Sequence, residues 1–196
     1  MALGSEHSLV AESLNDLALL YRVQGLYEEV EALYKRALAI SEKALGPENP
    51  DIAVILSNLG EFYRLESRYS EAEPLLERAA ANLEKALGPD HPKFASGLKN
   101  LAVLYTEQGR YSEAEALHSR ALTIREKTLG SKHPSVAQSL NSLGVLSDAR
   151  GRPAEAETLY KRALAIAEQA LGSEHPDVAQ ILENLSGLYR ELGRHS

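Results

Sequence analysis

Leu87-Gly88-Pro89-Asp90-His91-Pro92, near the middle of the chain, reads as a joint between two helices. Glycine can take the left-handed C′ conformation that ends one helix, and proline suits the first position of the next. The same mark recurs as Leu45-Gly46-Pro47-Glu48-Asn49-Pro50, Leu129-Gly130-Ser131-Lys132-His133-Pro134 and Leu171-Gly172-Ser173-Glu174-His175-Pro176. A worn copy, Leu3-Gly4-Ser5-Glu6-His7-Ser8, opens the chain. Gly4, Gly46, Gly88, Gly130 and Gly172 fall 42 residues apart, with no insertion. A fixed period of roughly 20–50 residues marks a stacked repeat array.

Between the marks the apolar residues follow a helical period. Leu98, Leu101, Ala102 and Tyr105 fall at i, i+3, i+4 and i+7, one stripe of a helix. Leu14, Leu17, Ala18 and Tyr21 repeat that stripe, as do Leu56, Leu59, Gly60 and Tyr63, and the spacing predicts a first helix, A, in every unit. A turn follows, Gly25-Leu26-Tyr27 in the first unit, then Ser67-Arg68-Tyr69, Gly109-Arg110-Tyr111 and Gly151-Arg152-Pro153, with Gly193-Arg194-His195 at the end. A second helix, B, comes next, with the apolar face Ala114, Leu117, Ala121, Leu122 and Ile124 in the third unit. Ser70 with Glu73, and Ser112 with Glu115, have the spacing of a capping box at its start. No strand-like alternation competes.

Bulk composition narrows the function. A net charge of −7 argues against a nucleic-acid backbone or an anionic membrane as the main partner. No apolar run approaches the roughly 20 residues that span a bilayer. The start, Met1-Ala2-Leu3-Gly4-Ser5, lacks the pattern of a secretory signal. With no cysteine there are no disulfides or thiolate sites, and a cytoplasmic location is the default.

The A pattern Leu-x-x-Leu-Ala-x-x-Tyr, the turn Gly-Arg-Tyr and the B pattern Ala-Glu-x-Leu-x-x-Arg-Ala-Leu together resemble a tetratricopeptide repeat (TPR). That family's common unit is about 34 residues; the longer unit with Leu-Gly-x-x-His-Pro between repeats resembles the kinesin light chain type. Residues 101–115, leading to Arg125-Glu126-Lys127-Thr128-Leu129-Gly130, carry the resemblance most fully. It implies an all-α, right-handed α-solenoid of tandem antiparallel helix pairs, a single array over residues 1–196. The repeats are expected at 8–45, 50–87, 92–129 and 134–171, with a terminal capping helix at 176–193, nine helices in all. Leu182, Leu185 and Leu188 in that last helix are as apolar as their internal equivalents, whereas a terminal cap turns polar outside. The expectation is therefore a segment of a longer protein, or one that self-associates through an end.

Residues that could carry chemistry have structural readings. His91, His133 and His175 recur once per repeat, but equivalent positions on stacked repeats do not converge as metal ligands must. Asn49 stands in their place once, so this position reads as a cap or packing residue at the joint. His118, which replaces Tyr34, Leu76 and Tyr160 of the other units, reads as helix packing. Glu71/Glu73, Glu113/Glu115 and Glu155/Glu157 sit where acids complement a helix dipole. No catalytic grouping and no cofactor or metal site stands out. Ala80 and Asn82 in the second unit replace an apolar Leu and Ile, which predicts a thinner core there.

In repeats of the resembled type, the A helices line a concave groove that takes a segment of a partner protein. Carried across by motif, the groove-facing residues include Asn15, Arg22, Asn58, Arg64, Lys99, Asn100, Val103, Asn141, Val145, Asn184 and Arg190. Every A helix carries an asparagine at one of two adjacent positions, although asparagine is a mediocre helix former. Its amide suits hydrogen bonding to a ligand backbone, the reading preferred over a bond to a neighbouring helix or exposure to water. The implied function is a non-catalytic protein-interaction scaffold; the alternative is a structural, self-associating segment.

Overall fold

The computed structural model describes residues 8–193. The worn mark up to His7, and Arg194 and His195 of the final turn, lie outside the described residues. The chain divides into two compact units, residues 1–89 and 90–196. Among the described residues it forms nine α-helices and one short 3-10 turn, with no strand.

Unit 1 holds two antiparallel pairs. Helix α1 (Ser8–Gln24) packs on α2 (Tyr27–Leu45), and α3 (Ala53–Leu65) packs on α4 (Tyr69–Leu87). The 3-10 turn Pro50–Ile52 leads into α3. Its core includes Ala11, Ala37, Ile40 and Ile55, with Leu56, Leu59, Phe62 and Leu76 also buried. Unit 2 holds α5 (Pro92–Glu107) on α6 (Tyr111–Leu129), α7 (Pro134–Ala149) on α8 (Pro153–Leu171), and α9 (Pro176–Glu191) against α8. Val136, Leu140, Tyr160, Ile166, Val178, Ile181, Leu185 and Leu188 form its core around the last three helices. Burying each such large side chain contributes about 1.5–3 kcal/mol.

The joints form as their residues dictate. Nδ1 of His91, His133 and His175 accepts a hydrogen bond from the backbone N–H two residues on, at 3.1 Å each. Asn49 does the same through Oδ1 at 2.8 Å. Each cap is followed by proline in the first helical turn, where a missing N–H costs nothing. The joint glycine differs in detail from the expected left-handed cap. Gly88 has φ 87° and ψ 166°, a region open to glycine almost alone.

Helix B starts without its capping box. The N-caps are Leu26, Arg68, Arg110 and Arg152, none with a side-chain cap hydrogen bond, so Ser70 and Ser112 already lie inside the helix. Arg68 instead bridges to Glu71 at 2.6 Å, and Arg110 to Glu113 at 2.6 Å. Asn82 also departs from expectation. It is buried, and its Nδ2 donates to the Pro47 carbonyl at 3.1 Å, tying α4 to the preceding joint rather than merely thinning the core.

Helix faces meet closely where a glycine faces a large B-helix residue. A Cβ on Gly60 would lie 2.7 Å from Leu76 Cδ2, and one on Gly144 would lie 2.5 Å from Tyr160 Cε1. On α9, Leu185 and Leu188 are 8% and 1% exposed, packed in the unit 2 core, whereas Leu182 is 42% exposed. The outward apolar residue of the last helix is thus Leu182, not the pair Leu185 and Leu188.

Candidate functional site

The A helices α1 and α3 of unit 1, and α5, α7 and α9 of unit 2, carry the residues singled out from the sequence. In unit 1, Asn58 Nδ2 donates to Asn15 Oδ1 at 2.9 Å, and Asn15 is 8% exposed. In unit 2, Asn184 Nδ2 donates to Asn141 Oδ1, also at 2.9 Å. Four of the five asparagines therefore tie adjacent A helices together in pairs. An amide has two N–H groups and two lone pairs, so each pair keeps hydrogen-bonding capacity beyond the bond it makes. Asn100 lies half-buried on α5.

The charged residues of unit 1 converge on Glu61. Its Oε1 lies 3.2 Å from Arg64 and 3.9 Å from Arg22, both arginines being mostly buried. Arg22 Nε is buried without a hydrogen-bond partner, as is the hydroxyl of Tyr34. Burial raises the Tyr34 pKa, opposed by the charge of Arg22 and assisted by that of Glu61. The arginine at this repeat position is replaced by Thr106 and Asp148 in unit 2, and returns as the exposed Arg190 on α9. The Asp148 carboxyl is pushed up by burial and by Glu191.

Among the described residues of unit 2, two clefts are lined by A-helix residues. One, of about 210 Å³, is lined by Lys99, Gln138, Asn141, Ser142, Asp177 and Gln180 among others, with Gln138 Nε2 donating to Asp177 at 2.9 Å. The second, of about 150 Å³, is lined by Val103, Thr106, Glu107, His118, Asn141, Ser142 and Val145. Lys99 and Asn141 thus share the first cleft, and Val103, Asn141 and Val145 the second. His118 is buried, as its packing position predicts, but it also borders the second cleft, and its Nδ1 has no hydrogen-bond partner. Burial, reinforced by the charges of Lys99 and Arg125, lowers its pKa to about 4.

Glu115 and Glu157, which the sequence marks as dipole partners, and Glu31 at the same repeat position reach to the next repeat. Glu31 on α2 receives Arg68 at 2.6 Å, Tyr63 at 3.0 Å and Lys35 at 2.6 Å. Arg68, with Lys35 and Tyr63, holds its carboxyl at about 2 despite partial burial. Glu157 receives Tyr189 at 3.1 Å and Lys161 at 2.7 Å. Where Ser147 replaces that tyrosine, Glu115 pairs instead with Arg150 and with Arg152. Arg125 is buried without an acidic partner among its hydrogen bonds; its Nη atoms donate to the Ser135 carbonyl and to the Ser139 and Ser96 hydroxyls. Its long reach across three helices gives no periodic signal in the sequence.

Tandem antiparallel helix pairs of fixed length, jointed by glycine and proline and paired side by side through their A helices, define an all-α repeat protein of solenoid type. The tetratricopeptide repeat model matches residues 9–85, 51–126, 93–169 and 148–196, and the chain belongs to that family. Its 42-residue repeat is of the kinesin light chain type. BtubC (BKLC) from P. vanneervenii is similar in structure, with a TM-score of 0.79 and 27% identity over 95% of this chain and 74% of that one. A Podospora anserina protein of kinesin light chain type, with nearly identical TPR-like repeats, matches with a TM-score of 0.76 and 31% identity, over 96% of this chain and 90% of that one. A single-substitution variant of that fungal protein matches at 0.78 and 30%, over 99% and 91%. No curated protein matches the chain in sequence at a significant level. TPR repeats mediate protein–protein interaction, and the fold family is known as a non-catalytic scaffold. Among the described residues, no group of three or more His, Asp or Glu side chains could hold a metal ion, and no helix is long and apolar enough to cross a membrane.

Proposed function

We propose that the chain is a non-catalytic scaffold that captures a protein or peptide segment along the A-helix face, working in the cytoplasm without a cofactor. The asparagine pairs carry this reading. Within each unit they fix adjacent A helices at hydrogen-bonding distance, and in unit 2 Asn141 lines a cleft with Lys99, Gln138 and Ser142. A partner backbone laid across that face meets donors and acceptors already held in place, which lowers the ordering cost of binding. Arg22 and Arg64, sharing Glu61, and the exposed Arg190 supply places for acidic groups of the partner.

The test is quantitative affinity capture with the intact chain, compared with the double variant Asn100→Ala/Arg190→Glu. Asn100 is half-buried and Arg190 exposed, so the fold should survive, as circular dichroism would verify. Loss of a discrete set of captured proteins supports the groove; an unchanged set overturns it.

Self-association is the second reading, favoured by one observation. Leu182 is 42% exposed, whereas Leu56, Leu98 and Leu140 at the same repeat position are 0%, 4% and 0% exposed. Under this reading Leu182→Glu lowers the light-scattering mass; a monomer at high concentration rules it out.

A further inference from the structure

His118 breaks a pattern that the other helix pairs keep. Its repeat position is filled by Tyr34, Leu76 and Tyr160, which are 0%, 1% and 1% exposed. The smaller imidazole borders a cleft of about 150 Å³ walled on its apolar side by Val103 and Val145. An apolar cavity of about this volume holds one benzene-sized ring. Several polar groups of the wall, which also includes the Glu107 carboxylate, already make hydrogen bonds. The Thr106 hydroxyl donates to the Ala102 carbonyl at 2.8 Å, the Ser142 hydroxyl donates to the Gln138 carbonyl at 3.0 Å, and Asn141 Oδ1 accepts from Asn184. The His118 ring nitrogen is left buried and unpartnered, and such an atom calls for a partner.

We propose that this cleft binds a neutral, benzene-sized ring bearing one hydroxyl, the ring lying between Val103 and Val145 and the hydroxyl donating to the His118 imidazole. With its pKa lowered to about 4, the imidazole is uncharged at neutral pH and keeps one acceptor nitrogen. The broad, two-fold χ2 of histidine lets either ring edge turn to the cleft. A charged ligand would lose hydration against the valine walls, which disfavours it. The same chemistry serves a phenol side chain of a partner or a free small molecule. This site does not rest on capture along the asparagine face.

The experiment is an NMR titration of the full chain with phenol and, in parallel, with benzene. Both should shift the Val103 and Val145 methyls. Only phenol should shift the His118 ring nitrogens, and it should bind about three- to tenfold tighter, the worth of one net hydrogen bond. His118→Tyr installs the residue of two sibling pairs and should fill the cleft, abolishing the response while helicity is kept. His118→Leu, the residue of a third pair, should keep the fold and erase the preference for phenol over benzene. N-acetyl-tyrosinamide binding as tightly as phenol assigns the ring to a partner's side chain; about tenfold weaker binding assigns it to a free molecule, and both keep the ring chemistry. Equal affinity for phenol and benzene, an unmoved His118 ring at saturation, or retained phenol shifts in His118→Tyr would overturn the proposal. Phenol saturation is read without any partner, so its failure and that of groove capture are separable.

Discussion

Asn58 Nδ2 donates to Asn15 Oδ1 at 2.9 Å, joining two A helices through residues 43 positions apart. That separation is one more than the repeat, and it recurs between Asn141 and Asn184. The one-residue offset puts Asn15 and Asn141 at one repeat position and Asn58 and Asn184 at the next, within each bonded pair. Side by side, one amide must present its oxygen where the next presents its nitrogen. Asn15→Ala should therefore leave the Asn58 amide short of a partner and cost about 1–2 kcal/mol in urea denaturation. The double variant Asn15→Ala/Asn58→Ala should cost less than the sum of the singles, by about 0.5–1 kcal/mol. Strict additivity would show that the bond contributes nothing.

The Glu31 clasp predicts a specific pH dependence. Its carboxyl is held at about 2 against a usual value of 4.5, chiefly by Arg68. A depressed pKa contributes stability that is present above the unfolded value and lost as pH falls through the folded one. Glu31→Gln should thus be less stable than the parent at pH 7 by about 0.5–1 kcal/mol, and the gap should close between about pH 4.5 and 2. Chemical denaturation across that range checks it; a gap that persists at the acid end would refute the charge account.

Ser67 stands at the turn where the other units have glycine and keeps φ at 58°. A side chain in that conformation costs about 1–2 kcal/mol, partly offset by the larger backbone entropy that glycine loses on folding. Ser67→Gly should raise stability by about 0.5–1 kcal/mol, read as a higher melting temperature. No gain would mean that the turn tolerates serine without strain.

Two glycines in helices should answer the same substitution with opposite signs. Gly144→Ala places a Cβ 2.5 Å from the Tyr160 ring and should cost about 1–3 kcal/mol through overpacking. Gly187→Ala meets only Arg190 Nη2 at 4.0 Å and should gain up to about 1 kcal/mol of helix propensity. Equal effects in thermal melts would contradict the packing seen between α7 and α8.

The sequence by itself determined the repeat and the helix pairs. Gly88, His91 and Pro92 act through their own backbone and the next two residues, so their chemistry is legible without neighbours. The apolar stripes likewise follow from the helical period alone. Tertiary structure decided what each side chain meets. Ser70 and Ser112 have capping-box spacing, yet the turn arginine two residues earlier takes the N-cap position in each helix. Leu182, Leu185 and Leu188 look alike along the chain, but only Leu182 faces away from the core, since α8 covers the other two. The pairing of Asn15 with Asn58, and the cleft left beside His118, depend on the side chain that an adjacent repeat happens to place opposite. A period in sequence fixes which residues are equivalent; contact between repeats decides which of them are bound, buried or open to a partner.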